Sequence, residues 1–366
     1  MSSSDTPAHE RRTSGHTHVT VLICTCNRAD HLSATLNSLS GIDAPNVNWD
    51  VLVVDNNSTD HTSSVLADWV RKFPVPLRRL FEPRQGKSFA ANSGIAAATG
   101  QVIAFTDDDV RVRSDWLRRI VEGMDRYTCD YVGGPVIPLW EREPPSWFPP
   151  TNGLLWGVIA LLDYGAEPMD FGRRVPLGVN MAVRRQAFER IGVFDVRLGR
   201  KVGTLLGQEQ REWCLRARAA GLTGYYLPDV VVQHFVPADR LRKQYFRRWF
   251  YWRGISRALL YAQSGVDMEY PQSSTLDFRS LPHVAGVPRY LYRSAVRAAC
   301  DTLVARLKNR PVESFERELW LCMFAGIIRQ RWTDRHIPPG SLGMVGLPGE
   351  PAGAGAPAEG RINSHI

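Results

Sequence analysis

Three consecutive aspartates, Asp107, Asp108 and Asp109, close the segment QVIAFTDDDV and carry the strongest chemical signal in the chain. Like charges this close repel one another at neutral pH, and a divalent cation is the usual remedy. Val102 to Phe105 is short, apolar and partly β-branched, which reads as a buried strand. Open α/β sheets place their ligands outside the carboxyl ends of their strands, where these aspartates fall. Hard oxygen donors suit Mg2+ or Mn2+ bound together with a nucleotide's phosphates. The alternative is a solvated acidic turn, with an Asp or Ser capping a helix that starts at Trp116.

The elements that must position these groups can be read on either side. Val19 to Cys24 (VTVLIC) and Val51 to Val54 (VLVV) are further apolar strands. Helix-period stretches follow at His31 to Leu39, Ser63 to Lys72 and Lys87 to Ala98. Strands that are continuous apolar runs, alternating with helices, predict an α/β fold with a mostly parallel sheet covered on both faces. Polar residues stand at each strand's carboxyl end: Thr25 and Arg28, Asp55 and Asn57, then Asp107 and Asp109. Asp55 suits a hydrogen bond to a base or ribose, and DNNSTD equally suits an Asx turn. Neither G-x-G-x-x-G after the first strand nor a P-loop string occurs, which disfavours dinucleotide and P-loop NTPase folds.

Seven strings in order identify a family: ICTCNR, VVDNNSTD, QGKSFAANSG, FTDDDV, PLGVNMAVRRQAFERIGVFD, GQEQREWCLRARAAG and LPDVVVQH. Over roughly Val19 to Val236 the chain resembles the family 2 glycosyltransferases, which have the GT-A fold. The resemblance implies a nucleotide-diphosphate sugar donor, a UDP-sugar being the family prior, and a glycan or lipid-linked acceptor. It implies that Thr25, Arg28, Asp55, Asn57, Asn92, Asp107 and Asp108 face the donor nucleotide. Asp107 and Asp109 match the outer places of the family's D-x-D metal motif, and His234 matches a histidine that adds a metal ligand in several members. By itself, a lone histidine after an apolar strand, as His234 stands after VVVQ, more often reads as a core histidine. Asn180, Met181 and Trp213 fall in segments that resemble the donor-sugar and acceptor wall.

The general base is where the chain departs from the family. Two adjacent carboxylates commonly open this helix, but here the string is Gln208-Glu209-Gln210-Arg211-Glu212. Inverting transfer needs one carboxylate within reach of the acceptor hydroxyl. Glu209 is the expected base and Glu212 the fallback, unless Glu212 pairs with Arg216 one turn on. Gln210 also keeps open a non-catalytic relative that binds a nucleotide sugar or glycan. A sugar nucleotidyltransferase on a similar sheet is a third reading.

Composition sets the bounds. With 44% hydrophobic and 22% charged residues, the 366-residue chain has material for one large domain plus an appendage. The expected organisation is a disordered tail at 1–17 and a catalytic domain at 18–238, with a nucleotide half to 112 and an acceptor half beyond. A basic, aromatic helical region follows at 239–335, and then a disordered Pro/Gly/Ala tail at 336–366. The six cysteines show no C-x-x-C spacing, which argues against zinc and for a reducing cytoplasm. Met1 to Thr17 lacks the apolar stretch of a secretory signal. No apolar run approaches the ~20 residues needed to span a bilayer. The longest, Leu154 to Leu162, follows the proline-rich EREPPSWFPP and reads either as an acceptor flap or as a core helix.

The net charge of +8 is concentrated where Arg240, Arg242, Lys243, Arg247, Arg248, Arg253 and Arg257 interleave with six aromatic residues between Tyr245 and Trp252. That mixture suits an anionic membrane surface, giving a cytoplasmic protein peripheral to the inner face of the membrane. It equally suits arginine contacts to the donor diphosphate or to a lipid diphosphate acceptor, with Arg240 and Arg247 as the phosphate candidates, and the plainest account is a solvated helix face. Nucleic acid ranks last. Beyond Pro271, Val296, Ala299, Leu303 and Leu307 fall at helical spacing, as do Phe315, Leu319, Met323 and Ile327; two such helices could form a dimer seam or lie on a bilayer, and packing on the catalytic domain is the default expectation.

Overall fold

Residues Val19, Val21 and Ile23 pack into one hydrophobic core and Leu22 into another, so the first strand is buried on both sides. The computed structural model of the chain describes residues 17–149, 153–264 and 281–334. Almost the whole of both expected tails therefore lies outside the described residues. The nucleotide half reads β1 (His18–Thr25), α1 (Ala29–Leu39), β2 (Asn48–Asp55), α2 (Thr62–Lys72), β3 (Leu77–Phe81), α3 (Lys87–Ala97) and β4 (Val102–Asp107). The second half adds β5 (Val110–Val112), α4 (Trp116–Arg126), β6 (Tyr131–Gly133), β7 (Val136–Trp140), β8 (Met169–Asp170) and β9 (Asn180–Arg184). It continues with α5 (Arg185–Ile191), α6 (Glu209–Ala219), β10 (Gly224–Tyr226) and β11 (Val232–Val236). The C-terminal part holds α7 (Lys243–Ser264), β12 (His283–Val284), β13 (Val287–Pro288), α8 (Arg289–Leu307) and α9 (Pro311–Thr333).

The main sheet runs β3-β2-β1-β4-β9-β6-β10-β8. Its first four strands are parallel, β9 is antiparallel between β4 and β6, and β8 closes the edge antiparallel to β10. Strand residues alternate faces with period two. Val51, Val53, Val102 and Ala104 join the core under α1, α2 and α4, while Leu52, Val54, Ile103 and Phe105 join the core under α3, α5 and α6. Helices on both faces give the α/β architecture expected of the apolar runs. Registers Thr25↔Asp55 and Cys24↔Asp107 bring three strand ends to one rim.

A second, three-stranded sheet, β5-β11-β7, stands beside that rim. It places His234 within β11 and opposite Val110, so the histidine lies inside a strand rather than after one. No aspartate of the 107–109 run caps α4. Its N-cap is Asp115, which makes no side-chain capping bond and instead pairs with Arg119 at 3.1 Å.

The C-terminal helices correct two expectations. Of the six aromatics in the basic stretch, Phe246 and Phe250 are fully buried and the other four half-buried; with Tyr261 the two belong to a third core shared with Phe315, Leu319, Met323 and Ile327 of α9. This core also takes in Phe148, Leu155 to Leu161 and Val236, so it crosses the boundary expected at 238/239. The helices touch backbone to backbone, since a Cβ on Gly254 would meet the Met323 carbonyl oxygen at 1.9 Å and one on Gly326 the Tyr251 carbonyl oxygen at 2.0 Å. The run Leu154 to Leu162 is no core helix. It makes a single 3₁₀ turn, Trp156–Ile159, that ends at Ala160 with φ 59°. The stripe Val296, Ala299, Leu303 and Leu307 faces outward, and α8 packs instead through Leu291, Ala298, Thr302 and Ala305.

Candidate functional site

The three strand ends, the β11 histidine and the start of α6 line one cavity of about 660 Å³. Its rim is the turn from β4 to β5, which Thr35 of α1 fixes. The Thr35 hydroxyl lies 2.8 Å from the Asp108 carbonyl oxygen and accepts from the Val110 N–H at 3.1 Å. The three aspartates then separate in direction and partner. Lys87 Nζ, in the first turn of α3, reaches Asp107 Oδ1 at 2.6 Å. Asp108 accepts from the Thr25 hydroxyl at 2.8 Å and from Arg28 Nη1 at 3.0 Å. Arg28 Nη1 also meets Asp109 Oδ2 at 2.5 Å, with Arg240 3.9 Å from the same oxygen.

Burial pushes the Asp108 carboxyl up to about 6 even against the Arg28 charge. Burial also acts on Asp109, but His234, Arg28 and Arg240 outweigh it and hold that carboxyl at about 2. Burial lowers the His234 imidazole below its ordinary value, more than Asp109 raises it. At neutral pH the pair is thus an ionised carboxylate facing a neutral imidazole.

These residues fit a divalent metal in their chemistry. Asp107 and Asp109 offer carboxylate oxygens, and neutral His234 offers a nitrogen. Asp109 Oδ1 and His234 Nδ1 are buried without a hydrogen-bond partner, and His234 Nε2 stands 3.4 Å from that oxygen. Unpaired buried polar atoms are costly and mark places where a further partner belongs. Among the described residues, however, no three His, Cys, Asp or Glu side chains already converge at metal spacing. Lys87 and Arg28 hold the two carboxylates in its place.

Glu209 is the first residue of α6, lines the cavity and is buried. Burial raises its carboxyl, partly offset by Lys87, and its Oε2 accepts from the Gln208 N–H at 3.0 Å. Lys87 therefore stands between Asp107 and Glu209. Glu212 does not share this cavity. Arg216 binds both its oxygens, at 2.6 and 2.9 Å, and also reaches the carbonyls of Ile191 and Val193. That clamp is the structural alternative expected for Glu212.

Several expected site residues serve the scaffold. Asn180 is fully buried, accepting from the Trp116 indole at 3.1 Å and donating to the carbonyls of Pro135 and Val230 at 3.0 and 2.6 Å. Met181 and Trp213 belong to the core beneath the sheet. Asn92 exchanges hydrogen bonds with the Phe194 backbone, 102 residues away, rather than facing the cavity. Asp55 braces its own turn, accepting from the Ser58 N–H three residues on at 3.0 Å. Asn57, at φ 60°, donates to the Pro83 carbonyl at 3.4 Å. Neither lines the cavity, although their neighbour Asn56 does. Arg247 pairs with Glu318 of α9 at 2.6 Å, which removes it from any phosphate, whereas Arg240 lines the cavity beside Asp109.

Sequence reasoning gave no role to Lys87, to the loop from Arg200 to Gly207 or to Arg211, and read Trp249 and Arg253 only as part of the basic, aromatic stretch; all of them line the cavity. Lys87 had a local signal, because it opens a helix directly below the strand ends. The α7 residues had none, since their direction depends on how α9 seats that helix.

With this geometry in hand, comparison with known proteins is direct. Residues 20–192 match the family model for glycosyl transferase family 2. The chain is 28% identical over 231 residues to glycosyltransferase AglE of Haloferax volcanii, covering 63% of this chain and 71% of that one. It is 27% identical over 265 residues to the glucosyl-dolichyl phosphate glucuronosyltransferase of the same organism, covering 70% and 79%. Its fold is similar to that of the mannosyltransferase PcManGT from Pyrobaculum calidifontis, solved with GDP-Man and Mn2+. The TM-score is 0.58 at 20% identity, over 86% of this chain and 87% of that one. The family-model match and the glycosyltransferase relatives support a family 2 glycosyltransferase, and the structural likeness supports the GT-A fold.

Proposed function

We propose that this chain is a family 2 glycosyltransferase that moves a sugar from a nucleoside diphosphate sugar to an acceptor hydroxyl, with inversion, in the cavity at the sheet rim. The observation that carries the proposal is the meeting of Asp107, Asp109, His234 and Glu209 in that one cavity. Asp107, Asp109 and His234 would hold Mg2+ or Mn2+, which neutralises the charge of the departing diphosphate. Thr25 and Arg28 fix the middle aspartate and with it the direction of the outer two. Arg240 supplies a cation beside Asp109 for the phosphates. Glu209 accepts the proton of the acceptor hydroxyl as its oxygen attacks the anomeric carbon from the face opposite the diphosphate. Lys87 favours the ionised form of Glu209 and so keeps the base ready.

Incubation with a panel of nucleotide sugars and Mn2+ tests this reading. Release of a nucleoside diphosphate, lost on adding EDTA, supports it. Release of pyrophosphate would make the chain a nucleotidyltransferase, and binding without turnover would make it a non-catalytic relative.

The peripheral placement rests on α8. Among the described residues no helix is long and apolar enough to cross a membrane. Val296, Leu303 and Leu307 are 63%, 59% and 79% exposed on one stripe, with Arg293, Arg297, Lys308 and Arg310 also exposed beside it or just past its end. An exposed apolar stripe flanked by cations suits an anionic bilayer. Co-sedimentation with phosphatidylglycerol vesicles should fall in Leu303→Asp, and equal binding by the variant would remove the assignment.

A further inference from the structure

The wall of the cavity away from the aspartates has the opposite electrostatic character. Arg211, two residues past Glu209 on α6, and Arg253 of α7 both line the cavity. Neither makes a hydrogen bond or ion pair with another described residue, and neither has a carboxylate among its electrostatic neighbours. Arg253 instead feels the positive charges of Arg211 and of Arg257, which is buried one helical turn further on. Among the described residues the ring beside it is Trp249, 5.0 Å from the guanidinium carbon, which shields one face but cancels no charge. Partly buried cations without a counter-charge destabilise a fold, so the pair Arg211 and Arg253 points to a missing anion.

The chemistry selects the anion. A single carboxylate would leave the cluster positive, whereas a phosphate or diphosphate carries enough charge and enough oxygens for two guanidinium forks. On the transfer reading the donor's phosphates belong at the aspartate rim, and no aspartate of the rim is among the electrostatic neighbours of Arg211 or Arg253, so this is a second site. We propose that Arg211 and Arg253 form a subsite for a phosphate or diphosphate group on the acceptor, whether that acceptor is lipid-linked or a soluble sugar phosphate. The proposal rests on the reading of this cavity as the transfer site.

The test titrates inorganic pyrophosphate into the full chain in EDTA, where the carboxylate rim cannot recruit it through a metal, and separately titrates nucleoside diphosphate with Mn2+. Wild type should bind pyrophosphate, with affinity at least tenfold weaker in Arg211→Gln and in Arg253→Gln and no weaker in Asp109→Ala. Both arginine variants should keep their Mn2+-dependent nucleotide affinity and melt no lower than wild type, which separates loss of a site from loss of the fold. Unchanged pyrophosphate affinity in both arginine variants overturns the subsite. Absence of Mn2+-dependent nucleotide binding in wild type, with the arginine dependence intact, overturns the transfer reading instead. Displacement of pyrophosphate by farnesyl phosphate assigns a lipid acceptor and displacement by glucose 1-phosphate a soluble one. Displacement by neither overturns the acceptor assignment.

Discussion

The two ends of the cavity solve opposite electrostatic problems. At the strand rim three acids are each met by a cation: Lys87 for Asp107, Arg28 for Asp108, and Arg28 with Arg240 for Asp109. On the α6–α7 wall, Arg211 and Arg253 meet no acid among the described residues. On the proposed reading, a metal ion replaces the protein charges of the balanced end and an anion supplies the charge missing from the other. Lys87 couples Glu209 to the balanced end.

The comparison can be broken at that glutamate first. Glu209→Gln should lower kcat by about 10²- to 10⁴-fold, as removal of a general base does, while Mn2+-dependent nucleotide affinity is unchanged. Normal turnover in this variant would move the base elsewhere. Asp109→Ala should cost about 10²- to 10³-fold in turnover, the scale of losing one electrostatic stabiliser, and should also weaken the Mn2+ response. A near-wild-type rate with Mn2+ would detach the rim from catalysis.

The pH profile sharpens the contrast less drastically. Burial raises the Glu209 carboxyl, so its proton is lost only above the ordinary glutamate range. The rate should therefore fall as pH drops through that raised value, and this acid limb should vanish in Glu209→Gln. An identical limb in the variant would assign it to other groups, among them the metal ligands, whose imidazole must be neutral to bind. The smallest effect belongs to the unbalanced wall. Arg253→Met should stabilise the ligand-free fold by about 1 kcal/mol, because it removes a like charge from a crowded cluster. A urea midpoint below wild type would show that the arginine is structurally paired.

What was legible in the sequence follows the range of the interactions. The alternating strands and helices, the aspartate rim and the side-chain-braced turn at Asp55 are local, and periodicity or turn chemistry exposes them. Glu209 stood out as the one carboxylate of the pair that opens its helix, and the structure brings it to the cavity. Asn180, Met181 and Trp213 were not, because the same side chains that line a sugar site also brace a sheet, and only burial separates the two uses. The Asn180 amide bonds carbonyls 45 and 50 residues away. Arg247 and Arg253 show the limit most clearly. They sit on one helix, six residues apart, yet the first meets Glu318 across 71 residues and the second faces the cavity. Nothing in their local sequence distinguishes them.

The backbone contact between α7 and α9 at Gly254 and Gly326 has a mechanical meaning. With no side chain between them to absorb a shift, the two helices travel together, and Arg253 and Trp249 ride on the first. Whatever grips the outer helices is thereby geared to the far wall of the reaction chamber, and cutting the chain before α7 would open that chamber rather than trim an ornament from it.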